Sequence, residues 1–263
     1  MGERSDTLIP VELSNVGPFR SISFQLTGRL TVYRGAGKTT ICRAVAGCLN
    51  PDRNRLGSYG ILSRSIGHTG RMGSVWVGDA CWTFHGDPNN PQDVRFGAAP
   101  FDTVIGYSPE RSIGSELHTF GHGQRSDFGH LFDEQRFTTS VDVWMIKQEQ
   151  ISQEIPNPRY EQIKAAISRL LDANHISVGN FEMHYHFGDV VRSTKGLSHQ
   201  EKRAVGLLVD IGQKVDHFKP TNGLCIIDGH DVGVSAAAAR DLLDEAMRLW
   251  PELSFLVTEY GVG

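Results

Sequence analysis

Two stretches at opposite ends of the chain predict an α/β fold with a phosphate-loop core. The first is Leu30-Thr31-Val32-Tyr33-Arg34-Gly35-Ala36-Gly37-Lys38-Thr39-Thr40, a short apolar run, a glycine turn and the start of a helical pattern. The second is Gly223-Leu224-Cys225-Ile226-Ile227-Asp228, a continuous apolar run ending in an acid. That is how a buried parallel strand presents a carboxylate at its C-terminal edge. Together they predict a P-loop NTPase core on a mostly parallel sheet. A group of alternating runs before and after the loop adds an N-terminal antiparallel β lobe, and a helical insertion separates the two halves of the core. The whole, 1–263, reads as a single domain with a loop and helical insertion at 108–175.

In the loop, Gly35 and Gly37 permit positive φ and let backbone N–H groups turn toward an anion, while the helix beginning near Lys38 adds its unpaired N-terminal donors and positive dipole end. Arg34, Gly35, Ala36, Gly37, Lys38, Thr39 and Thr40 are therefore the expected nucleotide-binding residues. Lys38 is placed to reach the β- and γ-phosphates, and the Thr39 hydroxyl to ligate Mg²⁺ together with Asp228. The full motif wants a further glycine where Val32 stands, so the loop is either shortened or weakened. Ile41, Ala44, Val45, Cys48 and Leu49 keep helical spacing behind it, and Asn50-Pro51 ends the helix.

In chain order, residues 9–13, 22–26 and 30–33 read as strands separated by Gly17-Pro18 and Gly28. Residues 57–73, rich in Gly and Ser, read as loop. Two β-rich runs around Gly78-Asp79 predict a hairpin over 75–84, and 101–107 predicts another strand. From Ser108 to about Phe132 the apolar period is weak, which predicts a long exposed loop. A helical pattern opens near Thr139 and is clearest at Ile163, Ala166, Ile167, Leu170 and Leu171. Residues 181–187 alternate as a strand, placing His184 and His186 on one face, either solvated or as half of a metal site. Ser198 with Glu201 three later is a capping box opening a helix whose apolar face carries Ala204, Leu207, Leu208 and Ile211. Ser235 caps a last helix, Pro251 follows it, and 253–258 is the final buried strand.

With 263 residues, 39% hydrophobic and 9% aromatic, the chain has enough apolar content for a sizeable core. A net charge of −4 lacks the basic surplus of a general polyanion binder. The four cysteines, Cys42, Cys48, Cys81 and Cys225, form no C-x-x-C pair and read as buried reduced thiols. No stretch approaches the roughly 18 to 20 apolar residues of a membrane span, and the first residues lack a signal-type apolar run. The expectation is a soluble, cytoplasmic protein with no membrane partner.

The order of two strands, Gly35-Ala36-Gly37-Lys38-Thr39-Thr40, an antiparallel lobe, a helical insertion, Leu197-Ser198-His199-Gln200-Glu201, then Ile226-Ile227-Asp228 and a final Val257-Thr258 strand resembles the ABC-type ATPase heads of the RecF, SMC and Rad50 kind, including small stand-alone AAA family ATPases of that group. The resemblance runs through nearly the whole chain but is specific only at 35–40, 197–201 and 223–233. It implies ATP and Mg²⁺ as ligands, and a head-to-tail homodimer in which Ser198 and Gln200 of one subunit meet the γ-phosphate held by another. A partner protein or DNA is in keeping with the family. Three positions depart from its pattern: Gln200 replaces the signature glycine, Gly229 replaces the glutamate expected after Asp228, and Tyr260 replaces the switch histidine. Glycine can neither orient nor deprotonate water, so Asp228, Asp231 and Glu259 are the carboxylates left for catalysis. The implied function is a nucleotide-dependent switch with ATP hydrolysis slow or lost. Beside it stand a degenerate scaffold that no longer binds nucleotide and a P-loop small-molecule kinase.

Overall fold

A computed structural model of the chain describes residues 8–49, 72–85, 93–109, 114, 116–117, 119–120, 124–132, 138–179, 181–231 and 235–260. The expected loop over 57–73 and the Asn50-Pro51 helix stop lie outside these residues, except that Met72 and Gly73 open a strand.

Among the described residues three sheets carry the architecture. The first is five-stranded and antiparallel, in the order β2-β1-β4-β5-β6, from β1 (Ile9–Val16), β2 (Phe19–Leu26), β4 (Met72–Val77), β5 (Ala80–His85) and β6 (Asp93–Phe96). The tight turns at Gly17 and Gly78 both need positive φ, 52° and 58°, which glycine adopts without a Cβ clash. The second sheet is four-stranded and wholly parallel, in the order β3-β12-β11-β7, from β3 (Leu30–Tyr33), β7 (Thr103–Tyr107), β11 (Gly223–Ile227) and β12 (Leu253–Thr258). Every residue of β7, β11 and β12 is buried, as expected of strands covered on both faces. The third is a three-stranded antiparallel sheet, β10-β9-β8, from β8 (His175–Gly179), β9 (Glu182–Phe187) and β10 (Val190–Ser193).

Side-chain alternation along the parallel strands divides the core in two. Val104, Leu224, Ile226 and Leu256 face one way, onto helix α1 (Lys38–Leu49), which lies between this sheet and the inner face of the antiparallel lobe. Sandwiched so, α1 is buried almost all round, and a Cβ on its Gly47 would come within 2.8 Å of the Trp82 ring. Ile105, Tyr107, Cys225, Ile227, Phe255 and Val257 face the other way, onto α2 (Val141–Glu154), α3 (Pro158–Leu171), α4 (His199–Phe218) and α5 (Ala236–Leu249). Local chemistry fixes these helix starts. Asn157 accepts from the Tyr160 N–H ahead of Pro158 at the first helical position, Ser140 and Ser235 cap α2 and α5, and Ser198 with Glu201 closes a reciprocal capping box on α4.

Of the stretch expected to be a long exposed loop, residues 108–109, 114, 116–117, 119–120 and 124–132 are described, and part of these is packed into the fold. Ser108, Asp127, Phe128 and Leu131 are all buried. Asp127 donates its N–H to Val104 O at 2.9 Å and accepts from Gly106 N at 3.0 Å, so the segment adds a bridge to the β7 edge. Among the described residues Phe128 and Leu131 anchor it in the core and Asp127 pairs with the buried Lys214, contacts too scattered along the sequence to leave a periodicity to read.

His184 and His186 share a face of β9. The first lies 3.0 Å from Gly179 O; the second lies 2.8 Å from the Ser177 hydroxyl and stacks on His175 at 3.9 Å. Among the described residues no group of three or more His, Cys, Asp or Glu is placed to hold a metal ion, and no helix is long and apolar enough to cross a membrane. All four cysteines are free and buried; burial pushes the Cys48 thiol up to about 12.

Candidate nucleotide site

The chain leaves β3 at Tyr33, crosses Arg34 to Gly37, and enters α1 at Lys38, whose first backbone bond runs from Ile41 N to Gly37 O at 3.0 Å. The N–H groups of that first turn have no intrahelical acceptor and point out of the helix end. Gly37 has φ 66°, and a Cβ there would collide with the Phe19 ring and lie 3.1 Å from Pro18. The β1–β2 turn thus packs against the loop, and only glycine fits the contact. Next to it, a Cβ on Gly17 would meet the Thr40 methyl at 2.7 Å, so the Thr40 side chain is committed to this turn. Tyr33 closes the other side by donating its hydroxyl to Ala36 O at 3.0 Å. Arg34, Gly35 and Ala36 are exposed.

The strand order puts β12 between β3 and β11, so the ends of all three meet at one edge. There Thr39 donates its hydroxyl to Asp228 Oδ2 at 2.6 Å, across 189 residues of sequence. Asp228 is fully buried, and its other oxygen accepts from Thr258 Oγ1 at 2.6 Å. Thr258 Oγ1 in turn accepts from Gly229 N at 2.8 Å, and Gly229 itself has φ 62°. A hydroxyl and a carboxylate make a hard oxygen donor pair, which suits Mg²⁺. Burial and the charge of Asp228 hold the Cys42 thiol beneath the site well above its ordinary pKa.

The remaining predicted carboxylates lie around this pair and are engaged with protein groups. Glu259 forms an ion pair with Arg34 of the loop and donates its backbone N–H to Tyr33 O at 3.2 Å. Its other oxygen lies 3.8 Å from His230 Nε2. Glu259 raises the Arg34 pKa, first by hydrogen bonding and then by charge. Asp231 accepts the Tyr260 N–H on both oxygens at 3.0 Å.

Tyr260 also reaches into the site. Its hydroxyl is 3.1 Å from Thr39 Oγ1 and 3.4 Å from Asp228 Oδ1, and Lys38 Nζ sits 4.9 Å from the centroid of its ring. Sequence reasoning marks Tyr260 only as a replaced histidine; its contact with three loop-site residues follows from β12 lying between β3 and β11.

Ser198 and Gln200 are not part of this cluster. Both are exposed at the start of α4, where Ser198 Oγ accepts from Glu201 N at 3.2 Å and Glu201 Oε2 accepts from Ser198 N at 2.6 Å. Arg192 braces Glu201 at 3.0 Å. Further along α4 lies a group that sequence reasoning misses: Lys214 Nζ, fully buried, is 2.7 Å from Asp210 and 3.1 Å from Asp127. Asp210 also accepts from the Tyr107 hydroxyl at 2.8 Å and Thr139 N at 2.7 Å. Tyr107 ends β7 beside Asp228, whose N–H it accepts at 2.9 Å, so this network ties α4 to the site edge. The available signal was an Asp and a Lys four apart within the apolar run 205–215.

No protein-family model and no curated protein matches the chain. Solved structures do. An SMC head bound to the C-winged helix domain of ScpA superposes with a TM-score of 0.55 at 11% identity, covering 97% of this chain and 90% of that one. The SMC head domain from Thermotoga maritima gives 0.51 at 13% identity, covering 97% and 89%. An Smc head domain with an extended coiled coil, bound to the C-terminal domain of ScpA and derived from Pyrococcus furiosus, gives 0.51 at 11%, again covering 97% and 89%. With the loop, the parallel sheet and the strand-end acid already in place, the fold of the chain is similar to that of these SMC head domains.

Proposed function

We propose that the chain binds Mg²⁺-ATP at Arg34 to Thr40 and acts as a nucleotide-dependent switch whose hydrolysis is slow or lost. The observation that carries this reading is the 2.6 Å contact between Thr39 Oγ1 and Asp228 Oδ2, which brings together the two groups expected to hold the metal. Lys38 and the first-turn N–H groups of α1 bind and orient the phosphates. Thr39 and Asp228 are the residues that would hold Mg²⁺, which when bound would supply charge neutralisation for the phosphates. Gly229 has no side chain to activate water, and Asp231 and Glu259 are held by Tyr260 N and Arg34. Binding without rapid turnover follows.

A head-to-tail homodimer, with Ser198 and Gln200 of one copy meeting the nucleotide of the other, extends this proposal. The exposure of both residues at a helix N-terminus supports it. A partner protein is in keeping with the fold, since two SMC heads of similar structure were solved with ScpA domains bound. The scaffold reading has one observation in its favour, the Tyr260 hydroxyl already lying against Thr39 and Asp228. Calorimetric titration of the purified chain with ATP, with and without Mg²⁺, separates the two. Saturable binding that tightens with Mg²⁺ supports the switch, and absence of binding even after removal of the Tyr260 side chain supports the scaffold.

A further inference from the structure

We propose that Tyr260 is a side-chain latch on the nucleotide site: its hydroxyl lies against the metal ligands and its ring over Lys38, and Mg²⁺-ATP must turn it out to bind. The inference rests on the nucleotide-binding reading above and adds a competitor built into the same chain.

Two separate contacts place the latch. The hydroxyl lies 3.1 Å from Thr39 Oγ1 and 3.4 Å from Asp228 Oδ1, the groups that hold the metal in that reading. The ring lies 4.9 Å from Lys38 Nζ, within the range of a cation–π contact, so the cation that would meet the phosphates faces an aromatic surface instead. One end of the residue therefore stands in for a metal-bound oxygen and the other for the phosphate charge.

The backbone beneath it is fixed. Both oxygens of Asp231 hold the Tyr260 N–H, Glu259 N binds Tyr33 O, and the Glu259 carboxylate is tied to Arg34. The strand end thus stays put while the side chain, 46% exposed, turns about its own torsions. Rotamer changes of exposed side chains take picoseconds to nanoseconds, so the latch sets affinity and does not slow association. A binding-competent form that is only a fraction of the population raises the apparent Kd by the inverse of that fraction, so a latch closed in about 90% of molecules weakens binding about tenfold.

The two ends predict different behaviour for two variants. Tyr260→Phe removes the hydroxyl from Thr39 and Asp228 but leaves a ring over Lys38, so ATP should bind about threefold to fivefold tighter with Mg²⁺ and no tighter in EDTA. Tyr260→Ala removes both contacts, so ATP should bind about tenfold tighter with Mg²⁺ and remain tighter in EDTA. Calorimetry with ATP reads these values, and a melting curve of each variant confirms that it is folded. A wild-type chain that binds ATP only after Tyr260→Ala also supports the latch. If the wild-type chain binds ATP and both variants bind equally or more weakly, the latch is overturned while nucleotide binding stands. If neither the wild type nor Tyr260→Ala binds ATP, both fall together.

Discussion

Replacing Gly229 by glutamate tests why hydrolysis should be slow. Gly229 follows Asp228 where the chain leaves β11 at its C-terminal edge, the place where open α/β sheets bind ligands. Its φ of 62° lies in the left-handed region, so a side chain there costs roughly 1 to 2 kcal/mol of stability. For a chain of this size that lowers Tm by about 2 to 4 °C per kcal/mol, or roughly 2 to 8 °C in all. Against it, a carboxylate that orients and deprotonates water contributes about 10² to 10⁴-fold in rate, equivalent to roughly 3 to 5 kcal/mol of barrier. The two effects fall on different observables, so the variant should melt lower and turn over faster. Steady-state phosphate release at saturating ATP and Mg²⁺ measures the second, with Lys38→Ala/Gly229→Glu as the background control. A folded Gly229→Glu chain that binds ATP and releases phosphate no faster than wild type would refute the reasoning. The defect would then lie at Gln200 or Tyr260.

Two further variants probe other parts of the account. Ser198→Arg should abolish ATP-dependent dimerisation in light scattering while leaving ATP affinity intact, at a stability cost of about 1 kcal/mol for the lost cap; dimers of unchanged yield would remove Ser198 from the interface. Lys214→Met leaves Asp210 and Asp127 buried without their shared cation. Breaking a buried pair costs about 3 to 5 kcal/mol, so Tm should fall by roughly 6 to 20 °C, and a fall below about 2 °C would mean that the network contributes little to stability.

The core was legible where a single physical demand acts on consecutive residues. The fully apolar 223–227 run states burial directly, the Gly-Lys-Thr turn marks where α1 begins, and the capping residues Ser198 and Ser235 stand where α4 and α5 begin. The third sheet was legible only in part. Gly188-Asp189 is the same turn signal as Gly78-Asp79, but β10 is four residues long and half exposed, with no alternation to mark it. What escaped altogether depends on pairings between distant segments. Asp127 is buried because Lys214 lies across from it, and nothing near residue 127 announces that partner. The site edge behaves the same way: residues 39, 228 and 260 converge because β12 separates β3 from β11, a strand order that no local pattern encodes. The missing glycine at Val32 reads differently in three dimensions, since Val32 is a strand residue paired with Val257 and the loop turns only after Tyr33.

The most direct test is calorimetric titration of ATP with Mg²⁺ into the wild-type chain and into Lys38→Ala, each repeated on the Tyr260→Ala background. In the proposed site Lys38 meets the β- and γ-phosphates, and a charge-assisted contact of this kind contributes about 1.5 to 3 kcal/mol. The account predicts saturable binding that Lys38→Ala weakens by roughly 10-fold to 150-fold on either background. Equal affinity with and without the lysine, or no uptake of ATP by either Lys38 form, would contradict the claim that this loop is a nucleotide site.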